Sequence, residues 1–416
     1  MNKKVLIVTY YWPPSGGAGV QRWLYMANEL AKAGVECHVL TVDEKYASYF
    51  QFDSSLEKDI HPDVHIHKTK TRELLKLYGK LVGKKNVPVS GFSNVDSSSS
   101  FQKLANALRS RYFIPDPRKN WRKYALPKAI ELIDKHGINK VITTSPPHSV
   151  QLIGKAIKQQ RKIEWTADFR DPWTDIYYYD LLQHSKKSAA KDKAMEIDVL
   201  QSADRILTVS QGFKKLFASK GVDENKIEVV YNGHSVQFDD TKTKQIEENF
   251  TLLYAGSIAD NYPYSALANL KRDNSDLYYK QFGELPNQLV QKLQGMDKVE
   301  LGGRLSHAEI LREMQKASCL LLLIPETTNN NGIVPGKLFE YMASGTPILA
   351  IGPLTGDVAS ILKQSGCGKL FDKEDIDGMH AFLNSARMGE IKADHDVIEQ
   401  YSRSNQVRLL QSILWQ

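Results

Sequence analysis

Short apolar runs alternate with amphipathic helical stretches along almost the whole chain, and this alternation is the tightest constraint on its fold. KKVLIVTY reads as a buried strand. After the turn PPSGGAG, VQRWLYMANELAKAG has helical spacing and stops at Gly34, and VECHVLTVD is strand again. A strand, helix and strand in that order call for a parallel sheet with right-handed crossovers. The pattern repeats through PKAIELIDKHG and KVITTS, SVQLIGKAIKQQ and KIEWTADF, then KAMEIDVLQSA and RILTVS, and on to QGFKKLFASKG and IEVVYNG. It breaks at VQFDDTKTKQIEE, a polar and aperiodic stretch, and resumes with FTLLYAG, VELGGRL, HAEILREMQKA, SCLLLLIP and VASILKQSG. An α/β chain of two successive doubly wound halves follows, with ligands expected at the carboxyl ends of the strands. The expected divisions are a first domain over 1–235, a linker over 236–249 and a second domain over 250–393. Residues 394–416 are expected to form one amphipathic helix.

With 416 residues, the chain is too long for one compact core, which agrees with two domains. Its longest apolar runs, such as CLLLLIP, are strand length, far below the roughly 20 residues of a spanning helix. VLIV, near the start, is too short for a signal peptide and two prolines follow it, so a cytoplasmic protein is expected. Three cysteines without a CxxC pair, Cys37, Cys319 and Cys367, read as buried free thiols. The net charge of +7 is uneven: segment 68–123 holds 14 Lys or Arg against Glu73, Asp96 and Asp116. TRELLKLYGKLVGKK and FQKLANALRSRYF within it have basic amphipathic character. That suits either an anionic membrane surface, which would place the protein on the inner face of the membrane, or a solvated helix pair over a core. No nucleic-acid motif accompanies the charge, so nucleic acid is not an expected partner.

The segment GIVPGKLFEYMASGTPILAIGP, residues 332–353, carries the clearest chemistry. Pro335 and Gly336 interrupt the chain, so a helix starts at Lys337 with unpaired backbone N–H groups. Gly345 ends it and ILAI is a buried strand. Lys337 and Glu340 are three apart and share a face. Bare amides and a lysine suit a phosphate, and a carboxylate one turn further in suits the two hydroxyls of a ribose. Macrodipole preference for Glu and a solvated Lys would produce the same letters.

In the first half, PPSGGAG lets backbone amides approach an anion, but Arg22 stands where a dinucleotide fingerprint needs its last glycine, which disfavours an NAD enzyme. TSPPHS brings His148 to the end of a strand. ADFRDPWT brings Asp168, Arg170 and Asp171 to the end of another, as a catalytic constellation or as a structural ion-pair cluster. Gx4GK[ST], HExxH and the nucleophile elbow are all missing. The DxD at Asp375 to Asp377 lies in a polar stretch remote from these motifs. No metal and no cofactor are expected.

In their order, the Gly-rich first loop, SADRILTVSQGF with IEVVYNG, VELGGRLSHAEILREMQKASCLLLLIP and KLFEYMASGTPILA resemble the family 4 glycosyltransferases over nearly the whole chain. YYWPPSGGAGVQRW, TSPPHSV and ADFRDPWT resemble a branch found in bacterial surface-polysaccharide pathways. The resemblance implies the GT-B fold, two Rossmann-like domains facing a cleft, with residues 394–416 crossing back to the first domain. It implies metal-independent transfer, with retention, from a nucleotide-diphosphate sugar to a glycan or lipid-linked acceptor. Glu340 takes the position of the ribose-binding glutamate. Gly336 and Lys337 fall at the diphosphate, Arg304 and Leu305 beside the base, and Gly17 and Gly19 in the loop approaching the phosphates. His148 is the candidate sugar-contacting group, joined by Asp168, Arg170 and Asp171 as catalytic candidates. The chain departs from the pattern in two places. Gly332 stands where a second glutamate is usual. Ser257 and Tyr262 stand where an Arg and Lys phosphate clamp is usual, leaving phosphate to Lys337 and helix amides with Arg304 or Arg170, and sugar to Glu326 or Asn329 to Asn331. A sugar-nucleotide 2-epimerase of the same fold and a non-catalytic nucleotide-binding homologue are the alternatives.

Overall fold

In the computed structural model, residues 3–49, 51–72, 114–182, 184–235 and 249–416 are described. Most of the basic segment 68–123 and nearly all of the expected linker 236–249 therefore lie outside the described residues. The chain divides into two units, Met1–Tyr231 with Val407–Gln416, and Asn232–Gln406.

The first unit is a parallel sheet with helices on both faces. Its elements are β1 (Lys4–Val8), α1 (Ala18–Lys32), β2 (Glu36–Val42), β3 (Val64–Thr69), α2 (Arg122–His136), β4 (Lys140–Ser145), α3 (Gln151–Gln160), β5 (Glu164–Phe169), α4 (Lys186–Ser202), β6 (Arg205–Thr208), α5 (Gln211–Ser219) and β7 (Ile227–Val229). Among the described residues the strand order is β3-β2-β1-β4-β5-β6-β7. The order reverses between β1 and β4, so the loops after these two strands diverge and leave a crevice at the carboxyl edge. Strands buried on both faces read as unbroken apolar runs, which is why KVLIV carries no alternation. Trp23, Leu24 and Ala27 of α1 share one core cluster with Leu410, Ile413 and Leu414 from the end of the chain.

The second unit repeats the plan with β8 (Thr251–Ala255), α6 (Tyr264–Arg272), β9 (Tyr278–Phe282), α7 (Asn287–Leu293), β10 (Val299–Gly302), α8 (His307–Lys316), β11 (Cys319–Leu323), α9 (Lys337–Ala343), β12 (Ile348–Ile351), α10 (Asp357–Ser365), β13 (Gly368–Phe371) and α11 (Ile376–Arg387). Its order is β10-β9-β8-β11-β12-β13, with the reversal between β8 and β11.

The expected single C-terminal helix is instead two, α12 (His395–Glu399) and α13 (Arg403–Leu414). Between them the backbone pairs with another strand of chain: His234 N–H donates to Tyr401 O at 3.1 Å and Arg403 N–H to His234 O at 2.8 Å. A carbonyl engaged sideways cannot close a helical turn, so the helix breaks there. All three cysteines are buried free thiols. Among the described residues no helix is long and apolar enough to cross a membrane.

Candidate active site

In the first unit, two motifs distant in sequence meet at the carboxyl edge. Gly17 caps α1 at φ 96 without a side-chain hydrogen bond, and of the first-turn amides Val20 N–H donates to Gly17 O at 3.0 Å. Arg170, just past β5, lies against this loop, and a Cβ on Gly19 would run into its guanidinium. Only glycine permits that approach. Arg170 donates to the carbonyls of Ser145 (3.3 Å) and Pro146 (3.2 Å) and makes no ion pair among the described residues. Burial holds its guanidinium below the usual arginine range, with Asp171 and Asp168 opposing. A half-buried cation beside a helix start is chemistry suited to an anion.

Asp171, beside it, makes no hydrogen bond or ion pair among the described residues. Burial raises its carboxyl above the usual range and Arg170 pulls it back. His148 is 8 % exposed and stacks on Trp173, with ring centroids 5.1 Å apart. Its Nδ1 has no hydrogen-bond partner among the described residues. Burial, with Arg170 and Lys220 adding to it, pushes His148 down to about 3, so the ring is neutral and can exchange hydrogen bonds but carries no charge near neutral pH. Trp173 is in turn fixed by its Nε1 donating to Asp192 of α4 at 2.9 Å.

Asp168 lies in an ion-pair cluster, the alternative that its motif left open. It is fully buried, and its carboxylate accepts from Arg22 Nη2 (2.8 Å), Trp23 Nε1 (2.7 Å) and Thr144 Oγ1 (2.7 Å). Those donors engage both oxygens of a carboxylate that has no exposed surface.

In the second unit, α9 begins at Lys337 and is one of the elements beside the β8 carboxyl edge. Lys337 Nζ lies 4.2 Å from the ring centroid of Tyr254 and donates to its hydroxyl at 3.0 Å. A Cβ on Gly256, which has φ 134, would stand 2.5 Å from Nζ. The ammonium is therefore held against the Tyr254 ring and the turn that follows β8, where Gly256 presents backbone alone. Burial lowers Lys337 to about 8, with Glu340 opposing. Glu340 Oε1 lies 3.0 Å from His307 Nε2 at the start of α8, and its other oxygen has no partner among the described residues.

The remaining candidates lie further out. Arg304 is exposed and paired with Glu284 at 2.8 Å, Ser257 Oγ accepts from the Glu284 N–H at 3.2 Å, and Leu305 is partly buried. Glu326 is exposed and paired with Lys373 at 2.6 Å. Gly336 is exposed and Gly332 buried. Asp375 caps α11 by accepting from the Gly378 N–H, which accounts for the DxD. Tyr254 and His307 were not singled out from sequence, because only the fold brings them to Lys337 and Glu340.

Residues 84–238 match the family model of Glycosyltransferase Family 4. A lipopolysaccharide 1,6-galactosyltransferase of Escherichia coli (strain K12) is 23% identical over 222 residues, which span 50% of this chain and 59% of that enzyme. The crystal structure of Anabaena Alr3699/HepE in complex with UDP aligns over 99% of both chains with a TM-score of 0.60 at 12% identity. TarM aligns over 100% of this chain and 99% of its own with a TM-score of 0.65 at 11% identity. At such identities the likeness to solved structures shows the fold, and the family match covers less than half of the chain. The family 4 match thus lies within residues 84–238, and the chain as a whole is similar in fold to solved GT-B glycosyltransferases.

Proposed function

We propose that this chain moves a sugar from a nucleotide-diphosphate donor onto a glycan or lipid-linked acceptor, with retention and without a catalytic metal. The observation that carries the reading is the pairing of Lys337, held over the turn after β8, with Glu340 one helical turn further in. The spacing fits a diphosphate at the ammonium and helix amides, and a ribose at the free carboxylate oxygen. UDP in the HepE complex favours a uridine donor, and the galactosyltransferase relative favours a lipopolysaccharide-like acceptor. The basic composition of segment 68–123 suits work in the cytoplasm at an anionic membrane surface, where a lipid-linked acceptor would be presented.

In the reaction, the bond from the anomeric carbon to the phosphate oxygen breaks and its electron pair leaves with the diphosphate. The acceptor hydroxyl then bonds to the oxocarbenium-like carbon from the same face and gives up its proton. Asp171 is the first unit's candidate to take it, Arg170 offers charge to an anion, and neutral His148 offers hydrogen bonds to a sugar. The protein's contribution is orientation and charge stabilisation, with no covalent nucleophile required.

Glu340→Ala is expected to weaken UDP binding roughly ten- to hundredfold, from loss of charge-assisted hydrogen bonds worth about 1.5–3 kcal/mol. Calorimetric titration of both proteins with UDP checks this, and equal affinities would remove Glu340 from the ribose. Mass-detected transfer from UDP-, GDP- and TDP-sugars to a lipid-linked acceptor tests the activity. Isomerised donor without acceptor would mean an epimerase, and unchanged donor throughout a binding protein.

A further inference from the structure

Four histidines at dispersed sequence positions gather on one face of the first sheet. β2 and β3 pair with His38 opposite His65 and Leu40 opposite His67. Side chains two apart on a strand share a face, so Glu36, His38, His65 and His67 project together. His136, the last residue of α2, stands over them with its ring centroid 4.3 Å from that of His38. Glu36 Oε1 lies 2.9 Å from His38 Nε2 and 3.9 Å from His136 Nδ1. Glu36 begins β2, so this cluster occupies the end of the sheet opposite the carboxyl edge that carries Arg170.

We propose that Glu36, His38 and His136 bind one divalent transition-metal ion of the zinc type. Two imidazoles and one carboxylate select zinc, cobalt or nickel over calcium and magnesium, which take oxygen ligands. The three ligand atoms lie within 4.8 Å of one another. A tetrahedral ion with bonds of about 2.0–2.2 Å sets neighbouring ligand atoms roughly 3.3 Å apart. The closing movement, from within 4.8 Å to roughly 3.3 Å, falls to His136, whose side chain is 25% exposed. Water would complete the shell.

Second-sphere features support the assignment. His38 Nδ1 lies 3.0 Å from His67 Nε2, so the ring is held through the nitrogen that does not face Glu36. A ligating histidine generally has such a partner on its other nitrogen. Lys4 takes only Oε2 of Glu36, at 3.1 Å, which leaves Oε1 toward the imidazoles. The carbonyl end of α2 also favours a cation there. A bound ion would tie β2 to α2 and brace the first unit from the side away from its proposed chemistry.

The test uses the full chain after treatment with a chelator. Calorimetry with Zn2+ should give one saturable equivalent, and Co2+ should develop the visible absorption of a tetrahedral site. His136→Gln and Glu36→Gln should each weaken Zn2+ at least tenfold. His67→Ala should weaken it roughly ten- to hundredfold through loss of the outer partner. His61→Gln, elsewhere on the surface, should leave it unchanged. Absence of a saturable equivalent, or His136→Gln and Glu36→Gln binding as tightly as the parent, would overturn the proposal.

Discussion

Replacing Arg22 with methionine is expected to cost the first unit about 3–5 kcal/mol of stability. The guanidinium and the Asp168 carboxylate it meets are 1% and 0% exposed. Arg22 also donates from Nη1 to the carbonyl of Val230 at 2.8 Å, which links α1 to the chain just past β7. Methionine fills much of the volume but supplies no charge, so the carboxylate keeps only the neutral donors Trp23 and Thr144 in a dry interior. Most of the loss is the desolvation of an unmatched anion, and this gives a sharper test than the single variant. Asp168→Asn in the Arg22→Met background removes the anion and should recover a good part of the loss, since a buried pair is worth much less than the penalty for breaking it. Urea denaturation followed by tryptophan fluorescence reads both values, because Trp12, Trp23, Trp121, Trp165 and Trp173 all lie in this unit. Additive losses in the double variant would show that the two side chains do not act as a pair.

Arg22 also shows which part of the molecule could be read from sequence. Apolar runs and helix stops are local signals, so β1, β2, β8 and the start of α9 at Lys337 fall where the pattern puts them. The substitution of Arg for a fingerprint glycine was visible too, but its meaning was not. It depends on Asp168, 146 residues away, and only the sheet order brings that residue beneath α1. The same holds for the candidate site. Lys337 and Glu340 were legible because helix periodicity fixes their relation. Tyr254 under the ammonium and His307 beside the carboxylate arrive by tertiary packing. The break between α12 and α13 was hidden for a like reason, since the pairing of Tyr401 and Arg403 with His234 bridges more than 160 residues.

Lys337→Ala is expected to weaken binding of a nucleoside diphosphate by roughly ten- to hundredfold, which corresponds to a charge-assisted hydrogen bond of about 1.5–3 kcal/mol. The pH dependence carries more information than the magnitude. In the free protein burial has lowered Lys337 to about 8, so the side chain loses its proton as pH rises through that value. A bound diphosphate stabilises the ammonium and moves its pKa up, so binding takes up a proton whenever the free side chain is neutral. Affinity should therefore be full below about pH 8 and fall as pH rises above it, until the pKa of the bound state is reached. The ligand's terminal phosphate is already ionised in this range, with a second pKa of about 6, so it adds no slope of its own. Titrations of UDP between pH 7 and pH 9.5 (~tenfold loss per unit at the steepest) read it directly. In Lys337→Ala the slope should vanish while the weak residual affinity stays flat. A slope that survives in the variant would assign the titration to another group and would take the phosphate away from Lys337.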